Sequence, residues 1–340
     1  MSNKLRNIFF LIGICVFGYF IYSFGIQNIL DNLWKTGWWF FPIILIWGVV
    51  YLLNTWAWYF ILKDEKSVSF GELYLLTISG FAINYITPFI NLGGEPYRIL
   101  ALKEKIGGRR AISSTILYSM IHFLSSFVFW ILAAVIVIVF IPLPLTIDIL
   151  LLVFVVFCFA AVLFFRARHK KGIVQSFAAI IMKVPFGKSL KKKLNDKQES
   201  LANIDAQITD YYNNKRRDFY FTLTLEVLAR VVSSWEFYFI LKAIGYETSA
   251  AEVIFINAFA ALVMNIFFFM PLELGARESG LYLVLEIIKI PAYYGIFVSL
   301  VNRIREFFWI LIGLLLIEIS GKKYSRKKLS EIEYDESNLV

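Results

Sequence analysis

Long apolar runs separated by short polar connections dominate the chain. Each run reaches or approaches the roughly 20 residues that a helix needs to cross a bilayer. This pattern predicts an all-α integral membrane protein, a multi-pass helical bundle. The predicted spans lie near residues 8–26, 38–62, 112–140, 147–165, 219–241 and 296–319.

Two further apolar regions, residues 73–106 and 252–290, are interrupted near their middle by glycine, proline and charged residues. The first contains the stretch INLGGEPYRI at residues 90–99. Irregular backbone at membrane depth must be buried in protein or line a wet cavity, because lipid cannot satisfy its hydrogen bonds. We therefore predict two broken, re-entrant helical hairpins, each of which dips into the membrane and returns to the same side.

The composition agrees with a membrane protein, because 59% of the residues are hydrophobic and the mean hydropathy is +0.69. Soluble globular domains are far less apolar. The first run follows Lys4 and Arg6, as the apolar part of a signal peptide would. It is too long for one, and no small-residue cleavage site follows it, so we expect an uncleaved anchor.

Cysteine and histidine are sparse and scattered. Cys15 and Cys158 both lie within apolar runs, where cysteine acts as a small hydrophobic residue. His122 lies in an apolar run and His169 in a basic loop. This spacing offers neither a disulfide framework nor a metal-ligand cluster, so no metal and no cofactor is predicted.

The net charge of +9 comes from basic clusters beside the apolar runs. That position indicates contact with anionic lipid head groups and orientation of the chain, and not nucleic-acid binding. By the positive-inside rule, the N-terminus, the loop 166–218 and the tail belong in the cytoplasm. The connections near 27–37, 141–147 and 242–251 carry almost no positive charge and are expected outside. We expect a cell-membrane protein with both termini cytoplasmic; its protein partners cannot be read from the pattern.

The loop 166–218 allows two interpretations. Its apolar residues recur at helical spacing, which predicts an amphipathic helix on the membrane surface or on the protein. A solvated charged connector is the alternative. The basic tail, residues 321–340, is expected to be disordered in the cytoplasm. The apolar residues of the loop are Leu194, Leu201, Ile204, Ile208 and Tyr211.

Two short sequences each occur twice. YFIL begins at Tyr59 and at Tyr238, FWIL begins at Phe129 and at Phe308, and both separations are 179 residues. A broken hairpin lies between the members in each half, so we predict repeat A over about 38–140 and repeat B over about 219–320 within one membrane domain, residues 1–320. The charge-based topology gives the two copies opposite orientations, which makes the repeat an inverted one, as in many transporters.

The hairpin tips combine small residues with fixed charge. Gly93 and Gly94 would let the chain turn sharply and let another backbone or a ligand approach closely. A helix beginning there offers free N–H groups to an anion, and Arg98 would add a cation able to bind phosphate bidentately. In repeat B, Gly275 and Arg277 would supply the same chemistry. The alternative is that both hairpins are surface loops with solvated charges.

Ionisable residues also lie within the predicted spans, where they are costly and often mark a pathway. Glu226 and Arg230 are one helical turn apart and could instead form an internal ion pair. Glu273 and Glu278 could likewise neutralise Arg277. The candidate substrate-binding residues are Gly93, Gly94, Glu95, Arg98, Glu226, Arg230, Glu273, Gly275, Arg277, Glu278 and Arg303.

The chain resembles the lysylphosphatidylglycerol synthase transmembrane-region family, also called the flippase-like domain family. The resemblance rests on NYITPFINLGGEPYRILALKEKIG at 84–107 and on MPLELGARESGL at 270–281, and it covers roughly residues 5–320. In the second motif the family often has Pro-Gly-Gly-Leu-Gly-x-Arg-Glu, and Leu272 and Glu273 stand where its first two glycines would be. The resemblance implies that the chain moves or accommodates lipids and is the membrane part without a soluble aminoacyl-transfer domain.

The leading hypothesis for function is therefore a lipid translocase that handles an anionic or lipid-linked head group between the hairpins, with membrane phospholipids as its partners. A membrane enzyme acting on a lipid-linked substrate is an alternative, although the sequence shows no nucleophile with a partner histidine and no nucleotide-binding loop. A non-catalytic partner of other membrane proteins and a small-solute transporter also remain open.

Overall fold

The structure is a computed structural model, which describes Tyr22 and residues 25–87, 93–168, 198–267, 273 and 275–337. The predicted first span, 8–26, lies almost wholly outside these segments, as do residues 169–197 of the long loop. The described chain is helical between short connections and contains no strand, which confirms the all-α fold class.

The helices are numbered in chain order, and a 3-10 turn at Gly37–Trp39 joins the first two. They are α1 (Ile26–Thr36), α2 (Phe40–Leu62), α3 (Phe70–Ile86), α4 (Gly94–Ile106), α5 (Gly108–Phe140), α6 (Leu145–Arg168), α7 (Gln198–Asn214), α8 (Arg216–Ala243), α9 (Ala250–Ile266), α10 (Ala276–Ile287) and α11 (Tyr294–Ser337).

Membrane-spanning length is evident in several of these helices. Three described segments are both long and apolar enough to cross a bilayer: Leu30–Leu62, Gly108–Phe140 and Leu145–Phe164. The helices α8 and α11 are 28 and 44 residues long, but charged side chains interrupt their apolar sequence. The predicted spans at 38–62, 112–140, 147–165, 219–241 and 296–319 thus each coincide with one continuous helix.

The two interrupted regions each form a pair of short helices. α3 and α9 both have 17 residues, and α4 and α10 have 13 and 12. At about 1.5 Å per residue, none of them is long enough for the roughly 30 Å of a bilayer core. The turns between them, residues 88–92 and 268–272, lie outside the described residues.

Local sequence signals set the starts of the short helices. The side chain of Ser69 accepts a hydrogen bond from the backbone N–H of Glu72 at the start of α3. Ser249 and Glu252 form a reciprocal capping box at the start of α9. These caps satisfy N–H groups that would otherwise lack partners in the first turn.

Close helix contacts hold the bundle together. α2 packs along α8, α3 along α11, and α5 contacts α4, α6, α8 and α9. At Gly313 on α11, an added Cβ would lie 2.3 Å from the Cβ of Ala82 on α3, so this crossing requires a residue without a side chain. Small residues serve the same purpose at helix contacts in other membrane bundles.

The loop residues 198–214 form the helix α7, which packs against α5 and α8. Ile204, Ile208 and Tyr211 are buried in that contact. The amphipathic interpretation is therefore correct for this part of the loop, and its apolar face covers protein. Leu194 lies outside the described residues.

Candidate functional site

Charged side chains within the bundle form two buried groups. Taking an ion out of water is expensive, so each needs partners or a function. We name the groups by their arginines. The Arg98 cluster comprises Asn54, Trp58, Phe81, Arg98, Tyr118, His122 and Glu226. The Arg305 cluster comprises Trp47, Glu236, Glu273, Arg277, Glu278, Asn302, Arg303, Arg305 and Glu306.

The glycine pair that precedes Arg98 lets two helices of one hairpin touch. The backbone N–H of Gly94 donates to Oδ1 of Asn84 over 2.6 Å, and a Cβ at Gly94 would lie 2.2 Å from the carbonyl oxygen of Gly80. The expected close approach is thus made by the backbone of α3. Gly93 has an ordinary helical φ of −70°, so the expected sharp turn does not occur at that residue.

Arg98 on α4 is buried, with 1% of its surface exposed, so it is not a solvated loop residue. Its guanidinium lies against three aromatic rings, with its central carbon 4.9 Å from the centre of Phe81 and 5.4 Å from those of Trp58 and Tyr118. An added Cβ at Gly80 would lie 2.4 Å from its Nε, so Gly80 leaves room for the guanidinium.

The polar partners of Arg98 are weak. Glu95 Oε1 lies 3.9 Å from Nη1, and the carbonyl oxygen of Thr77 lies 3.5 Å from Nη2. Nε has no hydrogen-bond partner among the described residues. Aromatic faces attract a cation but leave its N–H groups unbonded. Arg98 therefore has guanidinium N–H groups that are available to donate hydrogen bonds to an anionic ligand.

Glu226 on α8 is fully buried beside this arginine site. Its Oε2 accepts a hydrogen bond from Nδ2 of Asn54 over 3.1 Å and lies 2.6 Å from Nδ1 of His122. Its Oε1 accepts no hydrogen bond of ordinary geometry from any residue that the structure describes, although Tyr118 interacts with the carboxylate. The partners of Glu226 within hydrogen-bonding distance are thus an amide and an imidazole.

Arg230 does not pair directly with Glu226, as the internal ion-pair hypothesis required. Its Nε donates to Oγ of Ser125 and its Nη2 to the carbonyl oxygen of His122, each over 2.8 Å. Both acceptors lie on α5, so the arginine ties α8 to α5. No ion pair shorter than 4.0 Å joins Arg230 to a carboxylate within the described segments.

Glu236, also on α8, is by contrast saturated with donors. Arg305 binds both of its oxygens, at 2.9 and 3.2 Å, and Asn302 and Trp47 each donate to it over 2.7 Å. The Arg305 guanidinium also lies 3.8 Å from the centre of the Trp47 ring. Such a network holds α2, α8 and α11 in one arrangement.

Arg277 on α10 lies between two carboxylates. Its Nη2 is 2.5 Å from Oε2 of Glu273, and its Nη1 is 2.8 Å from Oε1 of Glu306 on α11. Glu273 has a φ of 55°, a conformation usual for glycine and strained for other residues. The ion pair with Arg277 holds it there.

Glu278 pairs with a different arginine from the one expected. Its Oε1 accepts hydrogen bonds from Ser299 over 2.6 Å and from Arg303 over 2.8 Å, and its Oε2 accepts one from the backbone N–H of Gly275. The expected neutralisation among Glu273, Arg277 and Glu278 is therefore split, because Glu278 belongs with Arg303. Gly275 has a φ of 81°, which favours glycine at the start of α10.

Six charged candidates lie in the two clusters: Arg98 and Glu226 in the first, and Glu273, Arg277, Glu278 and Arg303 in the second. Arg98 and Arg277 have separate partners, and α3 contacts both groups, since Phe81 covers Arg98 and Tyr85 interacts with Arg305 and Arg277. Asn54 and His122 were not among the candidate site residues predicted from the sequence. A single histidine in the otherwise apolar α5 was the available signal, because an ionisable group at that depth needs a partner.

The described residues contain no group of three or more His, Cys, Asp or Glu side chains arranged to hold a metal ion. One polar cavity, of about 440 Å³, opens where α7 meets the start of α5. Arg109, Arg110 and Lys215 line it, and the last two are paired with Glu65 and Asp64. This cavity lies apart from both clusters.

The family model of the lysylphosphatidylglycerol synthase TM region matches residues 8–313 of the 340-residue chain. The chain belongs to this family. The matched residues include every member of the Arg98 and Arg305 clusters. Comparisons with curated proteins and with solved structures gave no match.

Membership in the lysylphosphatidylglycerol synthase TM family confirms the resemblance seen in the two hairpin motifs. Together with the long apolar helices, it makes the chain a multi-pass membrane protein of a family involved in lipid handling.

Proposed function

We propose that the chain is a lipid translocase, which passes an anionic or lipid-linked head group across the membrane between its two broken hairpins. The observation that carries this proposal is Arg98, a buried arginine with no carboxylate at hydrogen-bonding distance among the residues that the structure describes. A phosphate is the ligand that best matches such a guanidinium, because it accepts two parallel charge-assisted hydrogen bonds.

Within this proposal the two clusters have different roles. Arg98 binds the phosphate, and the aromatic rings around it hold the guanidinium while no lipid is present. Glu95, 3.9 Å away, is close enough to exchange with an arriving phosphate. Arg277 already faces two carboxylates, so a phosphate there would have to displace an existing ion pair. We therefore assign the first contact with the head group to Arg98.

An inverted repeat is part of the same proposal. The order of helices is the same in α2–α5 and in α8–α11: a long helix, two short ones and a long one. The cross-contacts are also alike, because α3 packs on α11 as α9 packs on α5, while α2 packs on α8. The caps at Ser69 and Ser249, 180 residues apart, support this relation.

For the topology, we propose that the chain lies in the cell membrane with its termini and the α6–α8 connection in the cytoplasm. Lys103, Lys105, Arg109 and Arg110 would then hold the base of the first hairpin on the cytoplasmic side. The second hairpin would open from outside. Hairpins that enter from opposite faces would give a head group one path with two entrances.

The proposal is tested with purified protein in vesicles of phosphatidylcholine that contain a fluorescent phosphatidylglycerol. Translocation predicts that a membrane-impermeant quencher removes a larger share of the fluorescence than in protein-free vesicles, while the probe stays chemically unchanged. A new covalent lipid product without redistribution would instead support a membrane enzyme. Redistribution no faster than in protein-free vesicles, with an intact probe, would contradict the proposal.

A further inference from the structure

The two buried glutamates of α8 differ in what neutralises them. Glu236 is bound by a guanidinium that remains charged at any physiological pH. Glu226 lacks such a cation at hydrogen-bonding distance in the described part of the chain, and its close partners are Asn54 and His122. The groups close to Glu226 are thus an amide and an imidazole, and the Arg230 guanidinium acts on it from beyond ion-pair distance.

The geometry suits a site where a proton is bound and released. His122 Nδ1 and Glu226 Oε2 are 2.6 Å apart, so one proton can be shared between imidazole and carboxylate while the pair stays neutral overall. Losing that proton leaves a buried carboxylate that has Asn54 as its hydrogen-bond donor and the Arg230 guanidinium beyond ion-pair distance, which is costly. Histidine is the side chain whose charge ordinarily changes between about pH 5 and 8.

The imidazole is the more exposed member of the pair. The His122 side chain is 36% exposed, whereas that of Glu226 is 0% exposed. His122 is near the middle of the 33-residue helix α5, which is long and apolar enough to cross the membrane. The imidazole is therefore the side of the pair from which a proton would reach the buried carboxylate.

The pair is adjacent to the proposed phosphate site. The Tyr118 and Phe81 rings both lie against the Arg98 guanidinium, and the centre of each is also 6.0 Å from that of the His122 ring. The surrounding charged and titratable groups are Arg98 on α4, Tyr118 on α5 and Arg230 on α8. The nearest groups from α2 and α3, Asn54 and Phe81, are uncharged.

We propose that the His122–Glu226 pair binds a proton that is transported together with the anionic head group. This inference rests on the proposed translocase function. A phosphate at Arg98 brings negative charge beside the Tyr118 and Phe81 rings that also border His122, and because like charges repel, it favours the protonated pair. By linkage, a proton on the pair favours phosphate binding to the same degree.

The experiment uses full-length protein in vesicles of phosphatidylcholine and phosphatidylglycerol, with a fluorescent phosphatidylglycerol as probe and a pH-sensitive dye inside. The rate of lipid redistribution is measured with and without a pH gradient. For the wild type, the ratio of the two rates should be about fivefold or more, within the usual range of coupling between sites. The dye should report proton movement that depends on the lipid probe.

Two variants and a control test whether the coupling between proton and lipid movement depends on this pair. His122→Gln and Glu226→Gln should each bring the ratio of rates to about 1, because one proton-binding group is lost. Glutamine at position 226 keeps an acceptor for Asn54, and protein yield and unfolding temperature check that each variant folds. Glu72→Gln removes a carboxylate that pairs with Lys105 outside both clusters, and its ratio should equal that of the wild type.

The outcomes are distinct. Wild-type redistribution that ignores the gradient, without proton movement above that of protein-free vesicles, would overturn proton coupling and leave the translocase proposal standing. A gradient response that survives in both variants would overturn the assignment to this pair. Absence of lipid redistribution under every gradient would overturn the proposed function, and proton coupling with it.

Discussion

At the residue scale, the contrast between Glu226 and Glu236 separates function from structure. The two residues lie ten positions apart on one helix and are both buried. The arginine, amide and indole that bind Glu236 hold its carboxylate in one position. Glu226 has an amide and an imidazole at hydrogen-bonding distance, the environment from which we propose proton coupling. Similar burial thus supports different roles.

This contrast predicts different stabilities for two matched variants. Glu236→Gln leaves Arg305 buried without its principal carboxylate, so the free energy of unfolding should fall by about 3–5 kcal/mol. Glu226→Gln replaces a carboxylate that lacks an arginine partner at ion-pair distance and should cost clearly less. Thermal unfolding in one detergent compares them. Equal losses would show that both glutamates have the same structural role.

A pH-dependent contribution is expected from Asp64, which lies between α2 and α3. A hydrogen bond from Lys215 lowers the pKa of Asp64 below its ordinary value. Since the folded pKa is the lower one, this pair stabilises the fold above the ordinary pKa of aspartate, and the contribution is lost as the pH falls through the lowered value.

The magnitude is small because the Asp64 side chain is 56% exposed. Asp64→Asn should lower the free energy of unfolding by no more than about 1 kcal/mol at neutral pH. Unfolding measured at neutral pH and at about pH 3 should show a difference between wild type and variant that becomes smaller in acid. A difference that grows in acid would contradict this direction of the pH dependence.

At the element scale, each broken hairpin depends on contact between its helices. Gly94→Ala would place a Cβ 2.2 Å from the Gly80 carbonyl oxygen, so α3 and α4 must separate, at a cost of about 1–3 kcal/mol. Gly71→Ala, in the partner helix α3, is the control. No atom lies within 4 Å of its added Cβ, and alanine there should be neutral or stabilising by up to about 1 kcal/mol.

Unfolding temperatures of the Gly94→Ala and Gly71→Ala variants measure this difference. Destabilisation of both variants by the same amount would mean that the close contact at Gly94 is not what makes alanine unfavourable there. The mutation also reports on function, because Arg98 is on the same helix one turn later.

The topology gives a second prediction for whole elements. Cysteines introduced at Lys103 and at position 190 should react with an impermeant thiol reagent only after the membrane is opened. Cysteines at Leu145 and Tyr246 should react in intact cells. Native Cys158 is buried and should contribute little background. Labelling of position 190 from outside would overturn the proposed orientation.

The sequence was informative about elements for a physical reason. A bilayer demands about 20 apolar residues per span, so runs such as 112–140 predicted helices almost to their ends. The interruption between α3 and α4 was predicted from the glycine, proline and charged residues at 90–99. Partners within the site could not be derived, since hydrogen bonds such as that between His122 and Glu226 join residues 104 positions apart.

At the scale of the whole molecule, the helices bury two charged clusters within a mainly apolar core. The Arg305 cluster ties α2, α8, α10 and α11 together, while Arg98 has no carboxylate nearer than Glu95, at 3.9 Å, within the described segments. A protein that only needed stability would gain from an apolar residue at position 98. The unsatisfied arginine is therefore the feature that a head group explains best.

Arg98→Ala should reduce lipid movement by about 10- to 100-fold, the range expected when hydrogen bonds from a charged group, worth about 1.5–3 kcal/mol, are lost. Arg98→Lys keeps the charge but loses the planar fork, so its rate should fall between that of the alanine variant and the wild type. Arg109→Ala removes an exposed arginine on α5 and should leave the rate unchanged.

The most direct test of the central claim is the rate at which fluorescent phosphatidylglycerol changes leaflet in vesicles containing equal amounts of wild-type, Arg98→Ala or Arg109→Ala protein. If Arg98 binds the head group, the Arg98→Ala rate falls close to that of protein-free vesicles while the Arg109→Ala rate stays at the wild-type level. Equal rates for folded Arg98→Ala and wild-type protein would contradict the claim.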